Sequence, residues 1–394
     1  MASPLTSRVT RAVIAIVLGG ALAACGTDAT NTDDQNTPST NVSTTNATDS
    51  AANAGQLATV CDSPVVVQTD WYPQTEHGGI YELLGDDYVV DAERGATTGS
   101  LVFRGADTGI DLEVRAGGPF IESPVVTEMF LDDTITLGYV GSDVALSRYA
   151  EAPTLAVFNA LTINPQVILW DESKHPGVST IAEIAAEVRA ISVFGDRPYM
   201  RYLVAQGVVP ADKVDTNYKG VLMLATDDIA HQGFATSEPF RYANLESGAV
   251  ATAYQLVHDA GWTSYPQNLA INKLRLEPLR PCLAALVPMM QQAQIDFIES
   301  PDRTVATILD VVERLDTTWS QSPELAAYAV ATMERLGIVG NGTTPIFGDF
   351  ESPRLDDFIA RAVPILREQG LPIPDIVAGD IATNEFLDAD ITMP

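Results

Sequence analysis

The sequence predicts an α/β protein whose folded body has two lobes. Short apolar runs of strand length alternate with segments in which apolar residues recur at helical spacing, which is typical of mostly parallel sheets flanked by helices. The chain has 394 residues, 46% of them hydrophobic, and this is enough for a real core. A folded body of about 335 residues is too large for one usual core, so two lobes are expected.

The predicted strands are short apolar runs rich in β-branched and aromatic residues. They span 65–67, 110–114, 135–139, 155–158, 167–170, 191–194, 221–224 and 254–257. Predicted helices cover 181–188, 305–312, 325–329 and 355–366, where apolar residues lie three and four positions apart. Ser179 or Thr180 is the expected N-cap of the first of these helices, and Pro364 should kink or split the last.

The charge balance excludes two kinds of partner. The chain carries 22 Lys and Arg against 52 Asp and Glu, a formal net charge of -30. A nucleic-acid-binding protein needs a basic face, and docking on anionic lipid needs a polybasic patch. We therefore expect a soluble, self-repelling acidic surface and no nucleic-acid partner.

Residues 1–24 are predicted to be an export signal. Arg8 and Arg11 precede an apolar stretch at 12–24 that is too short to span a bilayer. The small residues at 22–24 followed by Cys25 resemble the lipobox of bacterial lipoproteins, which implies cleavage before Cys25 and acylation of this residue. The acyl chains would anchor the protein at the extracytoplasmic face of the cell membrane. An ordinary secretory signal with a chance cysteine is the alternative.

Residues 25–57 are predicted to be the lipidated cysteine and a disordered tether. Thr, Asn, Asp, Ser and Ala dominate this stretch, and large apolar residues are nearly absent. With Cys25 assigned to lipid, Cys61 and Cys282 remain, and an even pair in an exported protein is a disulfide candidate. Two separate buried thiols are the alternative.

No enzyme, cofactor or metal site is predicted. The chain lacks the G-x-S-x-G, H-E-x-x-H and G-x-x-x-x-G-K-[ST] motifs, and its four histidines have no metal-ligand spacing. An exported enzyme and a purely structural surface lipoprotein remain as other function classes.

The most informative segment follows the first predicted strand. In open α/β sheets, ligands bind beyond the carboxyl ends of the strands, and the strand at 65–67 runs into Asp-Trp-Tyr-Pro and then a helix that starts near His77. This order resembles the DWxPxxxHxG opening of periplasmic-type solute-binding proteins, in particular the thiamine-pyrimidine-precursor-binding branch of the nitrate/sulfonate/taurine-type group. An ordinary strand-turn-helix with a packed Trp is the alternative. The candidate ligand contacts here are Asp70, Trp71, Tyr72, His77, Gly78, Gly79 and Tyr81.

Further candidate contacts follow other predicted strands. Residues 232–239 resemble the QGYxTSEP segment of the same family, with Phe234 where Tyr is usual. The remaining candidates are Gly117 and Gly118 in a glycine-rich turn, Ser142 at a helix start, Arg197 and Tyr199 after the strand at 191–194, Thr236, Ser237 and Glu238 in the family segment, and Tyr265 in a return loop. Structural alternatives stay open, since Ser142 could cap a helix, Arg197 could pair with Asp196, and Glu238 could complement a helix dipole.

The resemblance implies a type II periplasmic-binding-protein fold and a role in an ABC importer. Lobe one would comprise 58–155 and 253–394, and lobe two 156–252, with two chain crossings as the hinge and a cleft between the lobes that closes on ligand. The protein is then expected to be a monomer that delivers a small solute to a membrane permease and its ATPase.

The candidate contacts favour an aminated heterocycle as the solute. A flat ring of this kind suits aromatic faces and carboxylates that accept N–H groups. The candidate segments supply several aromatic residues together with Asp70, Glu76 and Glu238, whereas Arg197 is their only basic residue. By resemblance the solute is a thiamine-precursor-like pyrimidine. An oxyanion such as taurine, another sulfonate or nitrate, which needs paired basic groups, is the alternative.

Overall fold

The structure of the chain is a computed structural model that describes residues 55–217 and 223–393. The predicted signal peptide, Cys25 and the tether up to residue 54 lie outside the described residues. The folded body contains two β-sheets flanked by helices. The chain passes from the first sheet to the second between residues 159 and 166, and it returns between residues 256 and 268.

The first sheet has seven strands. They are β1 (Val65–Gln68), β2 (Val89–Asp91), β3 (Ala96–Phe103), β4 (Ala106–Arg115), β5 (Ile135–Val140), β6 (Thr154–Asn159) and β12 (Asn268–Asn272). Their order across the sheet is β2-β3-β4-β1-β5-β12-β6. Strand β1 pairs in parallel with β4 and β5, and the other neighbouring pairs are antiparallel.

The second sheet has five strands. They are β7 (Gln166–Asp171), β8 (Ile191–Ser192), β9 (Val214–Asp215), β10 (Ala230–Phe234) and β11 (Thr252–Leu256), in the order β11-β7-β10-β8-β9. Strand β8 pairs in parallel with β9 and β10, whereas β7 pairs antiparallel with β10 and β11.

Both sheets are therefore mixed, and the expectation of mostly parallel sheets is wrong in this detail. In the first sheet, β3 and β4 are joined by a tight turn at Arg104 and Gly105, which have φ values of 49° and 80°. So short a connection can join only antiparallel neighbours. Strand β12 carries the chain back into the first sheet in the direction opposite to β5 and β6.

Helices cover both sheets. They are α1 (Gly78–Glu82), α2 (Val125–Leu131), α3 (Ser142–Arg148), α4 (Ile181–Glu187), α5 (Pro198–Ala205), α6 (Met223–Thr226), α7 (Glu238–Ala243), α8 (Leu276–Glu299), α9 (Asp302–Arg314), α10 (Pro323–Arg335), α11 (Ser352–Glu368) and α12 (Ala378–Ile381). A short 3-10 turn, Thr75–His77, precedes α1. The longest helix, α8, packs against α1 and β6 and buries Leu283, Leu286 and Val287 completely.

Most predicted elements are confirmed, with instructive exceptions. Thr180 is the N-cap of α4 and forms a capping box with Glu183. The strand predicted at 221–224 is wrong in its described part, because Met223–Thr226 is helical. Helix α11 continues through Pro364 without being split. Its apolar face, with Phe358 and Leu366 fully buried, supplies packing energy that outweighs the lost backbone hydrogen bond.

The cysteine pair is joined as predicted. Cys61 and Cys282 form a disulfide whose Cα atoms lie 4.7 Å apart. The bond ties the segment before β1 to helix α8, which belongs to the same core as the first sheet. The alternative of two separate buried thiols is therefore wrong.

Candidate functional site

The loop after β1 carries Asp70 just beyond the carboxyl end of this central strand of the first sheet. One carboxylate oxygen, Oδ1, lies 3.1 Å from His77 Nε2 and 3.3 Å from Gln267 Nε2. The Asp70 side chain is 38% exposed, whereas that of His77 is completely buried. Gln267, which precedes β12, was not among the predicted contacts, because only the packing of β12 near β1 and β5 brings it to this loop.

Four aromatic residues form a cluster beside Asp70. The rings of Tyr72 and Trp319 stack in parallel with centroids 5.4 Å apart, and Phe120 meets Tyr72 edge-on at 5.8 Å. Trp71 contacts Tyr72 and Trp319 edge-on at 5.8 and 6.2 Å and remains 40% exposed. Trp319 lies in the loop between α9 and α10, and no strand precedes it. The expectation that ligand contacts directly follow predicted strands therefore could not identify this residue.

The predicted glycine-rich turn supports this loop through its backbone. Gly117 N–H donates to the Trp71 carbonyl at 2.9 Å, and Gly118 N–H donates to the Asp70 carbonyl at 3.2 Å. A Cβ on Gly117 would lie 2.8 Å from Trp71 N, and Gly118 has a φ of 61°. Both positions therefore require glycine. Their contact is with the loop that carries Asp70 and Trp71.

The loop after β10 in the second sheet meets the first sheet at Glu76. The Thr236 hydroxyl donates a hydrogen bond to the Glu76 carboxylate, and both side chains are buried. Glu238 accepts the Phe234 N–H at 2.5 Å. Burial raises the pKa of the Glu238 carboxyl, and the nearby charge of Glu76 acts in the same direction. The Glu76–Thr236 hydrogen bond thus links the segment after β1 with the segment after β10.

Two arginines belong to second-sheet segments that carry candidate contacts, namely Arg241 in α7 and Arg197 directly before α5. Arg241 was not among the predicted contacts. It donates to Ser237 Oγ at 3.0 Å and to the Ser320 carbonyl. Its guanidinium also lies 5.5 Å from the Trp319 ring. The Arg197 guanidinium lies 5.3 Å from the Phe194 ring. Within residues 55–217 and 223–393, Arg197 Nε is buried and has no hydrogen-bond partner.

The neighbours of Arg197 settle one alternative. Asp196 pairs with Arg201, so the alternative of an Arg197–Asp196 ion pair is wrong. Burial raises the pKa of Asp143, and the positive charge of Arg197 acts against this shift. Tyr199 donates its hydroxyl hydrogen bond to Gln232 at 3.0 Å and is itself largely buried.

Three predicted contacts are placed in packing positions. Gly78 and Gly79 lie against Phe297 and Gln294 of α8, where a Cβ would overlap those side chains. Tyr81 is 1% exposed in the core of the first sheet, and burial raises the pKa of its hydroxyl. These positions have structural reasons for their residue types.

Ser142 and Tyr265 are also engaged with each other. Ser142 N–H donates to the Tyr265 carbonyl at 2.9 Å, and the N-cap of α3 is Gly141, so the alternative of Ser142 as the helix cap is wrong. The Tyr265 ring is covered by the Arg354 guanidinium at 3.8 Å, and its hydroxyl accepts the Glu351 N–H.

The described part of the chain offers neither a metal site nor a membrane span. No three His, Cys, Asp or Glu side chains among residues 55–217 and 223–393 are grouped to hold a metal ion. Over the same residues, no helix combines the length and the apolar character needed to cross a membrane.

Comparison with known proteins identifies the fold. No family model matches the chain, and no curated protein matches it in sequence. The chain is similar to the ligand-binding component of an ABC-type import system from Staphylococcus aureus with zinc bound, with a TM-score of 0.51 and 13% identity over 84% of this chain and 100% of that chain. It is also similar to the periplasmic aliphatic sulphonate-binding protein from Escherichia coli, with a TM-score of 0.49 and 12% identity over 80% of this chain and 96% of that chain.

A third similar structure is the alkanesulfonate-binding protein from Xanthomonas axonopodis pv. citri bound to MOPS, with a TM-score of 0.48 and 12% identity over 82% of this chain and 100% of that chain. Likeness at such low identity concerns the fold alone. The Staphylococcus aureus structure carries this conclusion: the chain has the α/β fold of periplasmic binding proteins, as the sequence predicts.

Proposed function

We propose that this chain is the solute-binding component of an ABC importer and is not an enzyme. Its fold is that of periplasmic binding proteins, and loops from its two sheets meet at the Glu76–Thr236 hydrogen bond. In the proposal, the parts of the chain that carry the two sheets act as two lobes that close on a small solute. The chain crosses between the two sheets at 159–166 and 256–268, a few residues later than the predicted boundaries at 155/156 and 252/253. The loaded protein then delivers the solute to a membrane permease and its ATPase.

The proposed binding site, called here the inter-sheet site, lies where these loops meet. It consists of Asp70, Trp71, Tyr72, Glu76, Thr236 and Glu238. The single observation that carries the proposal is the combination of a half-exposed carboxylate at Asp70 and a half-exposed indole at Trp71 in the segment whose Glu76 accepts the Thr236 hydroxyl from the second sheet's loop. Arg197 and Tyr199 are proposed to border this site from the second sheet.

The chemistry of the inter-sheet site favours an aminated heterocycle. Aromatic faces stack on a flat ring, and carboxylates accept N–H groups from it. Three acidic side chains belong to the site, whereas Arg241 is held by Ser237 and Ser320. We propose a thiamine-precursor-like pyrimidine or a similar ring as the solute.

One observation favours the second candidate, an oxyanion such as a sulfonate or nitrate. Arg197 Nε has no hydrogen-bond partner among the described residues, and such a donor would suit an anionic oxygen. A single arginine beside Asp143 is a weaker anion site than paired basic groups. The oxyanion is therefore the less favoured candidate.

The protein is proposed to act as a monomer anchored at the extracytoplasmic face of the membrane through acyl chains on Cys25. Cell fractionation tests this part of the proposal. The unaltered protein should remain with membranes, and Cys25→Ser should appear in the soluble extracytoplasmic fraction. Equal distribution of the two proteins would contradict lipid anchoring and would leave solute binding to be judged separately.

Thermal unfolding with a panel of solutes tests the proposed function. A solute that binds only the folded protein stabilises it by about 2.7 kcal/mol at one hundred times its Kd. We expect 4-amino-5-hydroxymethyl-2-methylpyrimidine to raise the unfolding temperature, taurine and nitrate to leave it unchanged, and the pyrimidine to be recovered chemically intact. Stabilisation by taurine or nitrate alone would favour the oxyanion. A lack of response to the whole panel would count against both candidates.

A further inference from the structure

The Asp70 carboxylate is held at one oxygen only. Oδ1 lies 3.1 Å from His77 Nε2 and 3.3 Å from Gln267 Nε2, so two nitrogens converge on the same atom. No residue of the described chain is placed to donate to the other oxygen, Oδ2. Since an ionised carboxylate only accepts hydrogen bonds, this arrangement requires a proton on His77 Nε2. The Oδ2 atom keeps its full capacity to accept.

His77 and Gln267 are fixed by their own surroundings. Both side chains are buried, and the His77 ring lies 5.0 Å from the Tyr139 ring at a tilt of 45°. His77 Nδ1 and Gln267 Oε1 are buried and have no hydrogen-bond partner within the described residues. Leaving buried polar atoms unpaired is costly, and the side-chain hydrogen bonds that His77 and Gln267 do form go to Asp70 and to each other.

The backbone of Asp70 is held as well. Its carbonyl accepts the Gly118 N–H at 3.2 Å, and the neighbouring Trp71 carbonyl accepts the Gly117 N–H at 2.9 Å. With the main chain fixed by this turn and Oδ1 fixed by two donors, rotation of the carboxylate is restricted. The side chain is nevertheless 38% exposed, so a solute can reach it.

We propose that His77 and Gln267 are positioning residues that hold Asp70 so that Oδ2 accepts a hydrogen bond from the solute. This inference rests on the proposed function and deepens it. The solute must present an N–H or O–H donor to Oδ2, next to the Trp71 ring. His77, which was predicted as a direct ligand contact, acts through Asp70 instead, since its side chain is completely buried.

The geometry also determines what the site rejects. An oxyanion placed at Oδ2 would meet a negative oxygen whose hydrogen-bond donors both lie on the other side of the carboxylate. A neutral or cationic donor forms a charge-assisted hydrogen bond there, and such a bond corresponds to about tenfold to hundredfold in affinity. Selection of donor-bearing solutes is therefore a property of Asp70 as it is oriented by His77 and Gln267.

A double-mutant cycle tests the inference. The affinity for 4-amino-5-hydroxymethyl-2-methylpyrimidine is measured by calorimetry on the whole folded protein. We expect Asp70→Ala and His77→Leu each to weaken binding by about tenfold to hundredfold. In the Asp70→Ala background, His77→Leu should have no further effect, because the group that it positions is gone. His77→Gln, whose amide nitrogen can replace Nε2, should recover most of the affinity.

The matched control is His258→Leu. His258 also has a buried Nδ1 without a partner in the described residues, but it follows β11 in the second sheet. We expect this variant to keep the affinity of the unaltered protein. Equal losses from His77→Leu with and without Asp70 would overturn the inference, since they would show a general structural role. If His77→Leu does not fold, Gln267→Leu allows the same comparison of the affinity loss with and without Asp70.

Crystal structures without solute separate this inference from the proposed function. In His77→Leu or Gln267→Leu, we expect the Asp70 carboxylate to leave its position while the main chain of the loop stays in place. An unmoved carboxylate in both variants overturns the inference, even where the probe binds the unaltered protein. If the probe does not bind the unaltered protein, the pyrimidine proposal fails, and the carboxylate position alone decides whether His77 and Gln267 position Asp70.

Discussion

Replacing Gly78 by alanine tests whether this glycine serves packing or solute binding. From the sequence, Gly78 was expected to let the backbone approach a ligand. In the structure, a Cβ at this position would lie within 2.5 Å of three ring atoms of Phe297. Phe297 is completely buried in α8, so its ring has little room to move away.

The magnitude follows from two opposing contributions. Forcing a methyl group into a packed core costs about 1–3 kcal/mol, and the upper end applies because three ring atoms are overlapped at once. Alanine gains at most about 1 kcal/mol over glycine through helix propensity. We therefore expect Gly78→Ala to lower the free energy of unfolding by about 2 kcal/mol, with an unchanged urea m-value.

The assay is urea unfolding, followed by circular dichroism, with solute affinity measured on the same preparations. Gly379→Ala is the matched control, because Gly379 is also in a helix but a Cβ there would meet nothing within 4 Å. It should be neutral or stabilised by up to about 1 kcal/mol. If Gly78→Ala kept full stability and lost solute affinity, the packing explanation would be refuted and the ligand-contact prediction restored.

Four further predictions follow from single contacts. The Cys61→Ser/Cys282→Ser variant should lose up to about 5 kcal/mol of stability in urea, because the bond spans 221 residues. Equal stability of the unaltered protein with and without reductant would contradict this prediction. Burial lowers the pKa of His231 to about 4, so protonation of the unfolded chain below pH 6.5 should destabilise the fold by about 2 kcal/mol at pH 5. His231→Gln should lack that loss between pH 7 and pH 5, and an identical pH profile would refute the assignment. Trp71→Ala should weaken calorimetric binding of the pyrimidine by about 1–3 kcal/mol with little loss of fold, and unchanged affinity would place Trp71 outside the site. Trp319→Ala removes the partner of a stacked ring and should weaken binding by about 1 kcal/mol, an effect that is absent if the cluster only packs.

Local chemistry in the sequence was sufficient for several elements. The N-cap at Thr180 and the buried strand β1 follow from residue preferences within a few positions. Helix α8 was missed because Pro281 and Pro288 interrupt its pattern, although its buried face holds it together. Local preference cannot report how much distant packing a segment will gain.

The same distinction between local residue preference and distant packing applies to the candidate site. The sequence by itself determined which residues follow β1, and it singled out Asp70 and Trp71 as polar and aromatic groups at a strand end. Only the tertiary structure decided that Gln267 joins His77 on one oxygen of Asp70. The tertiary structure also decided that Gly78 packs against Phe297 of α8. Which segments meet depends on strand order and on contacts between parts of the chain that are far apart in sequence.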